Sequence, residues 1–362
     1  MEDQRNAEKV FFHRRPTEES ILEAAAEALS RGVHLHGAVL AVSDDLGNAM
    51  AQLKQGRART RGFDVTGNDF FLVSLPSAVK PVPLRQWGPP KAFVMAGPQD
   101  QTVLFLTCQD AAVLEHLLGV TALYLRAQLG RVYLTTREVH RSLSSLVREH
   151  PGMHLRVREC VSKSLIDDPE SAKRVRTNRE WTDEDFSTVF EKLAQDGKWL
   201  SAVKLRVTTD GRATGRLRRD AGFSCEEGIE LFYRTALSAL ANAVAESSSF
   251  FGRRGQSCSP TGRSRPVQIR YPESVFADRR QSERLQRVLG RLSHSSLSVF
   301  HPNPYLHAGL VDYTDGSSYD IWVTTQSSVV IVPKRKATVQ SMERLCNQIC
   351  DEFEEGAVTE FE

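Results

Sequence analysis

Two stretches with the same order of elements constrain this chain most. Residues 199–207, WLSAVKLRV, alternate apolar and polar as a strand does. Thr209-Asp210-Gly211 then breaks the run, since Asp-Gly readily supplies the positive φ angles of a tight turn. TGRLRR, residues 214–219, returns as a second strand, and an apolar helix, IELFYRTALSALANAV, starts after Gly228. The C-terminal stretch repeats the order: LHAGLVDY, Thr314-Asp315-Gly316, YDIWVTT, a further strand SVVIVP, and a helix from Val339. A duplication would produce this echo, and so would two common hairpins.

The rest of the chain alternates in kind. Thr17 caps a helix that Gly32 stops, HLHGAVLAV reads as a strand, and Asp44-Asp45 open a short helix. FFLVSLP is a strand, KAFVMAG and TVLFLTC read as paired strands, and Asp110 leads into a long apolar helix ending near Gly130. After Arg131, YLT reads as a short strand and Thr135-x-x-Glu138 as a capping box for a helix to Glu149. MHLRVRECVSKS is a strand, 164–181 a polar and basic loop, and Thr182-x-x-Asp185 the start of a helix that Gly197 ends. A basic amphipathic helix spans 278–292.

These elements predict a mixed α+β fold of antiparallel hairpins packed with helices, in two to three domains, which suits 362 residues. The expected divisions are an N-terminal α/β domain over 1–130, a middle α+β domain over 131–248, a Ser/Gly/Arg-rich linker over 249–270 and a C-terminal α+β domain over 271–362. Segment 246–266 has too little apolar surface to fold alone.

Composition excludes little. Hydrophobic content of 40%, charged content of 25% and a net charge of +2 suit a soluble globular chain with no global pull toward nucleic acid or membrane. No apolar run reaches the length of a membrane span, and MEDQRNAEKVFF lacks the order of a signal peptide. The six cysteines form no CxxC pair, so thiols serving as small core residues in a reducing, cytoplasmic setting are expected.

No motif names a chemistry. GxxxxGK[ST], strand-linked GxGxxG, HExxH and GxSxG are all absent, so no cofactor and no metal is expected. The densest polar cluster, HPNPYLHAGLVDYTDGSSYD over 301–320, holds His301, His307, Asp312 and Asp320. Asp312 and Asp320 flank a hairpin turn, and two His with two Asp suit a divalent metal. His307 falls on the opposite face from Asp312 by alternation, and solvated carboxylates beside a turn explain the cluster without catalysis.

Basic residues carry more information. Lys204, Arg206, Arg216 and Arg218 share one face of the first hairpin, and like charges across a strand pair repel, which invites an anionic partner. Arg280, Arg284, Arg287 and Arg291 share a helix face, with Arg253 and Arg254 beside Phe250 and Phe251 between the two elements. Residues 200–300 hold about 17 basic against 9 acidic groups, roughly +8. Arg forks phosphate and both Arg and Phe stack on bases.

The leading expectation is a non-catalytic nucleic-acid-binding or complex-assembly subunit, with a DNA or RNA backbone or an acidic protein surface as partner and no membrane. One alternative is a metal-assisted hydrolase or nucleic-acid-processing enzyme centred on His301, His307, Asp312 and Asp320. Another is a protein-interaction scaffold without nucleic acid.

Overall fold

The computed structural model describes residues 8, 11–12, 17–42, 46–55, 64–67, 70–75, 89–125, 128–164, 175–255, 265–271, 274–292, 294–302, 305–334 and 336–361. The chain divides into two compact units, Met1–Lys163 with Arg176–Ala245, and Ser164–Val175 with Glu246–Glu362.

In the first unit the elements run α1 (Glu18–Ser30), β1 (Leu35–Val42), α2 (Leu46–Gln55), β2 (Asp64–Thr66), β3 (Phe71–Ser74), β4 (Lys91–Ala96), β5 (Thr102–Thr107), α3 (Ala111–Tyr124), β6 (Leu129–Gly130) and α4 (Thr136–Glu149). Then come β7 (His154–Ser164), β8 (Val175–Asp185), α5 (Phe186–Gln195), β9 (Trp199–Thr208), β10 (Arg212–Arg218) and β11 (Gly222–Glu227). Helix α6 follows as Ile229–Phe232, a π-turn at Tyr233–Leu237, and Ser238–Gly255. The strands form one sheet in the order β2-β3-β4-β5-β1-β11-β10-β9-β7-β8, with β6 also paired to β1.

Burial divides this sheet. β1, β4 and β5 send side chains into apolar clusters on both faces: Val39, Phe93 and Leu104 on one side, Leu40, Val94 and Phe105 on the other. That is why these strands are apolar throughout and do not alternate. Helices α1, α4, α5 and α6 bury residues in the first cluster, α2 and α3 in the second. On β9, β10 and β11 only one face joins a cluster, through Val203, Leu205, Val207, Ala213, Leu217, Phe223 and Cys225. Gly215 permits the close approach of α6 there, since a Cβ would meet the Phe232 ring at 2.5 Å.

The second unit contains β12 (Val267–Arg270), α7 (Arg279–Gly290), β13 (Ser295–His301), β14 (His307–Asp312), β15 (Ser317–Thr325), β16 (Ser328–Pro333), α8 (Val339–Gln348, prolonged by a π-turn at Ile349–Phe353) and β17 (Ala357–Glu360). Its sheet has the order β13-β14-β15-β16-β12-β17. One face packs on α7 and α8 through Leu285, Leu289, Met342, Leu345 and Phe353.

The α+β class expected from the sequence is the observed one, with the described strand pairs antiparallel. Both hairpins turn at Asp-Gly, but by different means: Gly316 takes a φ of +78°, whereas Gly211 does not enter the positive-φ region. The first hairpin also gains a third strand, β11, before its helix.

Other expectations need correction. The boundary at 130/131 falls inside one sheet, where β1 pairs with β11. The range 249–270 includes the end of α6 and all of β12, with 256–264 outside the described residues. Helix α3 stops at Tyr124 and Leu129–Gly130 is a strand, while 131–135 form no strand. Within 164–181, Val175 onward belongs to β8, which continues to Asp185, so Asp185 and not Thr182 caps α5. Among the described residues no helix is long and apolar enough to cross a membrane.

Candidate functional site

The alternation of the first hairpin places its cations as the sequence predicts: Lys204, Arg206, Arg216 and Arg218 lie opposite the core face and are half-buried. Lys204 is directly opposite Arg216 across β9 and β10, and Arg206 is opposite Arg156 across β9 and β7. No member of an apolar cluster lies on this face of β9 and β10.

The fold also supplies anions that the hairpin sequence does not contain. Lys204 Nζ meets Glu226 Oε2 at 2.7 Å, and Arg216 pairs with Glu159. Arg218 is built into a four-residue network: its Nε donates to Asp220 Oδ1 at 2.9 Å and its Nη2 to Glu115, while Arg131 donates to Glu115 Oε2 and Asp220 Oδ2, each at 2.7 Å. Burial acts to raise the pKa of the Glu115 and Asp220 carboxyls, but hydrogen bonds and charges from the two arginines outweigh it and hold both below the usual range. The same partners raise Arg218 against the effect of burial. Arg218 is thus a structural cation.

The expected helical stripe also divides. Arg280 and Arg287 on α7 and Arg291 at its C-cap are exposed, whereas Arg284 is buried. The Arg284 guanidinium donates to the Phe353 carbonyl and lies 5.1 Å from the centroid of the Phe353 ring. Burial lowers its pKa. Arg253 and Arg254 fall in the last turn of α6, and their side chains lie outside the described residues.

The polar cluster at 301–320 does not assemble into one centre. Asp312 is opposite Ser317, whereas Asp320 is opposite Gly309, so the two carboxylates are three register steps apart, about 10 Å along the strands. Parity separates them further. Asp312 follows buried Ala308 and Leu310 toward the core side, where Thr314 N donates to it at 2.8 Å, Ser341 Oγ at 3.1 Å, and Arg344 of α8 pairs with it. Burial pushes its pKa up, but the bonds from Thr314 and Arg344 prevail and hold it below the usual carboxylate range. Asp320 lies on the other face with Lys334 at 2.7 Å and His307 Nε2 at 3.9 Å. The His307 ring stacks on Trp322 at 3.5 Å, and His301 is opposite His307 but exposed. Among the described residues no group of three or more His, Cys, Asp or Glu is placed to hold a metal ion. The cysteines described are free and buried, and burial pushes the Cys108, Cys160 and Cys225 thiols up to about 12.

Sequence reasoning missed a feature of the same region. Val299, Phe300, Tyr305, Val311 and Tyr313 are all exposed, and among the described residues the only other exposed large hydrophobic side chain is Phe361. The Phe300 ring lies across Gly309, where a Cβ would meet it at 3.0 Å, and against His307 at 4.9 Å between centroids. The signal was in the sequence as YLHAGLVDY and SVFH, whose apolar residues fall on both parities of their strands.

No protein-family model matches this chain, and no curated protein matches it in sequence.

Proposed function

We propose that this chain is a non-catalytic complex-assembly subunit that binds another protein surface through the β13–β14 hairpin. One observation carries the reading: five of the six exposed large hydrophobics among the described residues lie between positions 299 and 313. Single exposed apolar groups are ordinary, but several on one hairpin mark an interaction surface. The internal pairing of Lys204, Arg216 and Arg218 adds weight, because those cations have anionic partners within the fold.

A photo-crosslinking residue in place of Tyr305 or Tyr313 tests this in the cells that make the protein. Adducts of defined mass are expected at both positions and none at exposed Arg212 of the first unit. Equal yields at all three, or none, would refute the reading.

A second reading, contact with a nucleic-acid backbone, is favoured by the basic face of the first sheet. Arg156, Lys204, Arg206, Arg216 and Arg218 lie there against four carboxylates, Glu159, Glu226 and the Glu115 and Asp220 partners of Arg218, and two of the cross-strand pairs are cation against cation. An excess of positive charge attracts any polyanion, whatever its sequence.

A further inference from the structure

β13 is the outermost strand of the second sheet, and it differs from the other sheet ends. β2 has three residues and begins with Asp64, and β17 has four and ends with Glu360. β8 is long but reads VRTNREWTDED, charged along its length. Short and charged edges are how proteins prevent strands from pairing with other chains. β13 reads SSLSVFH, seven residues without Lys, Arg, Asp, Glu, Pro or Gly. Its ladder with β14 runs regularly from Ser295 to Val299 before a bulge at Phe300, and no described strand pairs with its other side.

We propose that this edge pairs antiparallel with β13 of a second copy of the chain, joining two six-stranded sheets about a two-fold axis. The proposal rests on the assembly reading and names its partner. Two-fold pairing sets each residue of the strand against another residue of the same strand. With the axis at Ser298, Val299 faces Leu297 of the other copy and Phe300 faces Ser296. An apolar residue then meets an apolar one, and the largest ring meets one of the smallest side chains. No like charges meet, because the strand has none. Val299 and Phe300, 41% and 59% exposed in the single chain, gain cover, and the free backbone groups of the edge gain hydrogen bonds.

Sedimentation of the full chain over about a hundredfold range of concentration tests the proposal. The wild type should approach twice the chain mass at the upper end, with the β13 amides exchanging more slowly there. Ser298 is exposed, so S298K and S298E should fold normally by circular dichroism. Each should self-associate about tenfold more weakly or worse, because like charges then meet at the axis. An equimolar mixture of the two should recover the double mass.

A single-chain mass for the wild type at every concentration would overturn the proposal, as would undiminished dimers of both variants. The crosslinking experiment separates this failure from failure of the assembly role. A monomeric wild type whose Tyr305 position captures only other proteins leaves that role standing without self-pairing. A monomeric wild type with no adducts removes both.

Discussion

Lys204 and Arg216 face each other across β9 and β10, and each is neutralised by a carboxylate beyond the other. Lys204 reaches past β10 to Glu226 on β11, and Arg216 reaches past β9 to Glu159 on β7. The repulsion implied by two opposed cations is offset within the sheet, by residues the hairpin itself does not contain. Like charges at cross-strand positions are therefore not sufficient evidence for an external anion.

Removing either carboxylate should expose that repulsion. Glu159→Gln and Glu226→Gln are each expected to cost about 0.2–1 kcal/mol, the range for ion pairs at the surface. Urea denaturation at low salt measures it. Raising the salt should narrow the gap to wild type, since screening weakens the repulsion left behind. Variants as stable as wild type at low salt would show that the pairs add nothing.

For the nucleic-acid reading, the informative residues are Arg156 and Arg206, which face each other across β7 and β9. The double variant Arg156→Glu/Arg206→Glu should weaken binding to single- and double-stranded DNA and RNA alike. It should also flatten the slope of log affinity against log salt by about 0.7–0.9 per lost phosphate contact. Fluorescence anisotropy at two salt concentrations reads both effects. A folded wild-type sample that binds none of the four at low salt would remove this reading.

Asp312 anchors the second unit through Thr314, Ser341 and Arg344, so Asp312→Asn should destabilise it by about 1–3 kcal/mol at neutral pH. The sign of the pH dependence follows from its depressed pKa in the folded state. The stabilisation is complete above the unfolded value, about 3.9, and is lost as pH falls through the lower folded value. Wild type should therefore lose more stability than the variant on acidification below about pH 4. Parallel melting curves for the two proteins would contradict this.

Gly215→Ala should be among the costlier single changes in the first unit. The added methyl would meet the Phe232 ring at 2.5 Å and the Ser224 carbonyl at 2.6 Å, and Phe232 is fully buried. Overpacking of this kind costs about 1–3 kcal/mol. Chemical denaturation gives the value, and a cost below about 0.5 kcal/mol would mean that α6 can shift on the sheet.

Signals confined to a few residues were legible in advance. Thr135 and Glu138 form the capping box their spacing predicts, Thr17 caps α1, and both Asp-Gly pairs fall in hairpin turns. The parity of Lys204, Arg206 and Arg216 against Val203, Leu205 and Leu217 was equally legible, because a strand alternates whatever surrounds it. The arrangement of the polar cluster was not legible in this way. His301, His307, Asp312 and Asp320 are near in sequence, but register and parity send Asp312 to one face of the sheet and Asp320 to the other.

The sequence by itself determined the caps of α1 and α4, the two hairpin turns, which face of β9 and β10 is apolar, and that cations line the other. These depend on backbone propensity, capping and alternation, which act over three or four residues. Only the tertiary structure decided which strands are neighbours and what stands opposite each charge. Arg216 meets a carboxylate 57 positions away, Asp312 an arginine 32 away, and β13 became an uncovered edge because no described strand pairs with its outer side. Those outcomes depend on how two sheets order their strands so as to bury the apolar faces, a global condition that no short stretch of sequence contains.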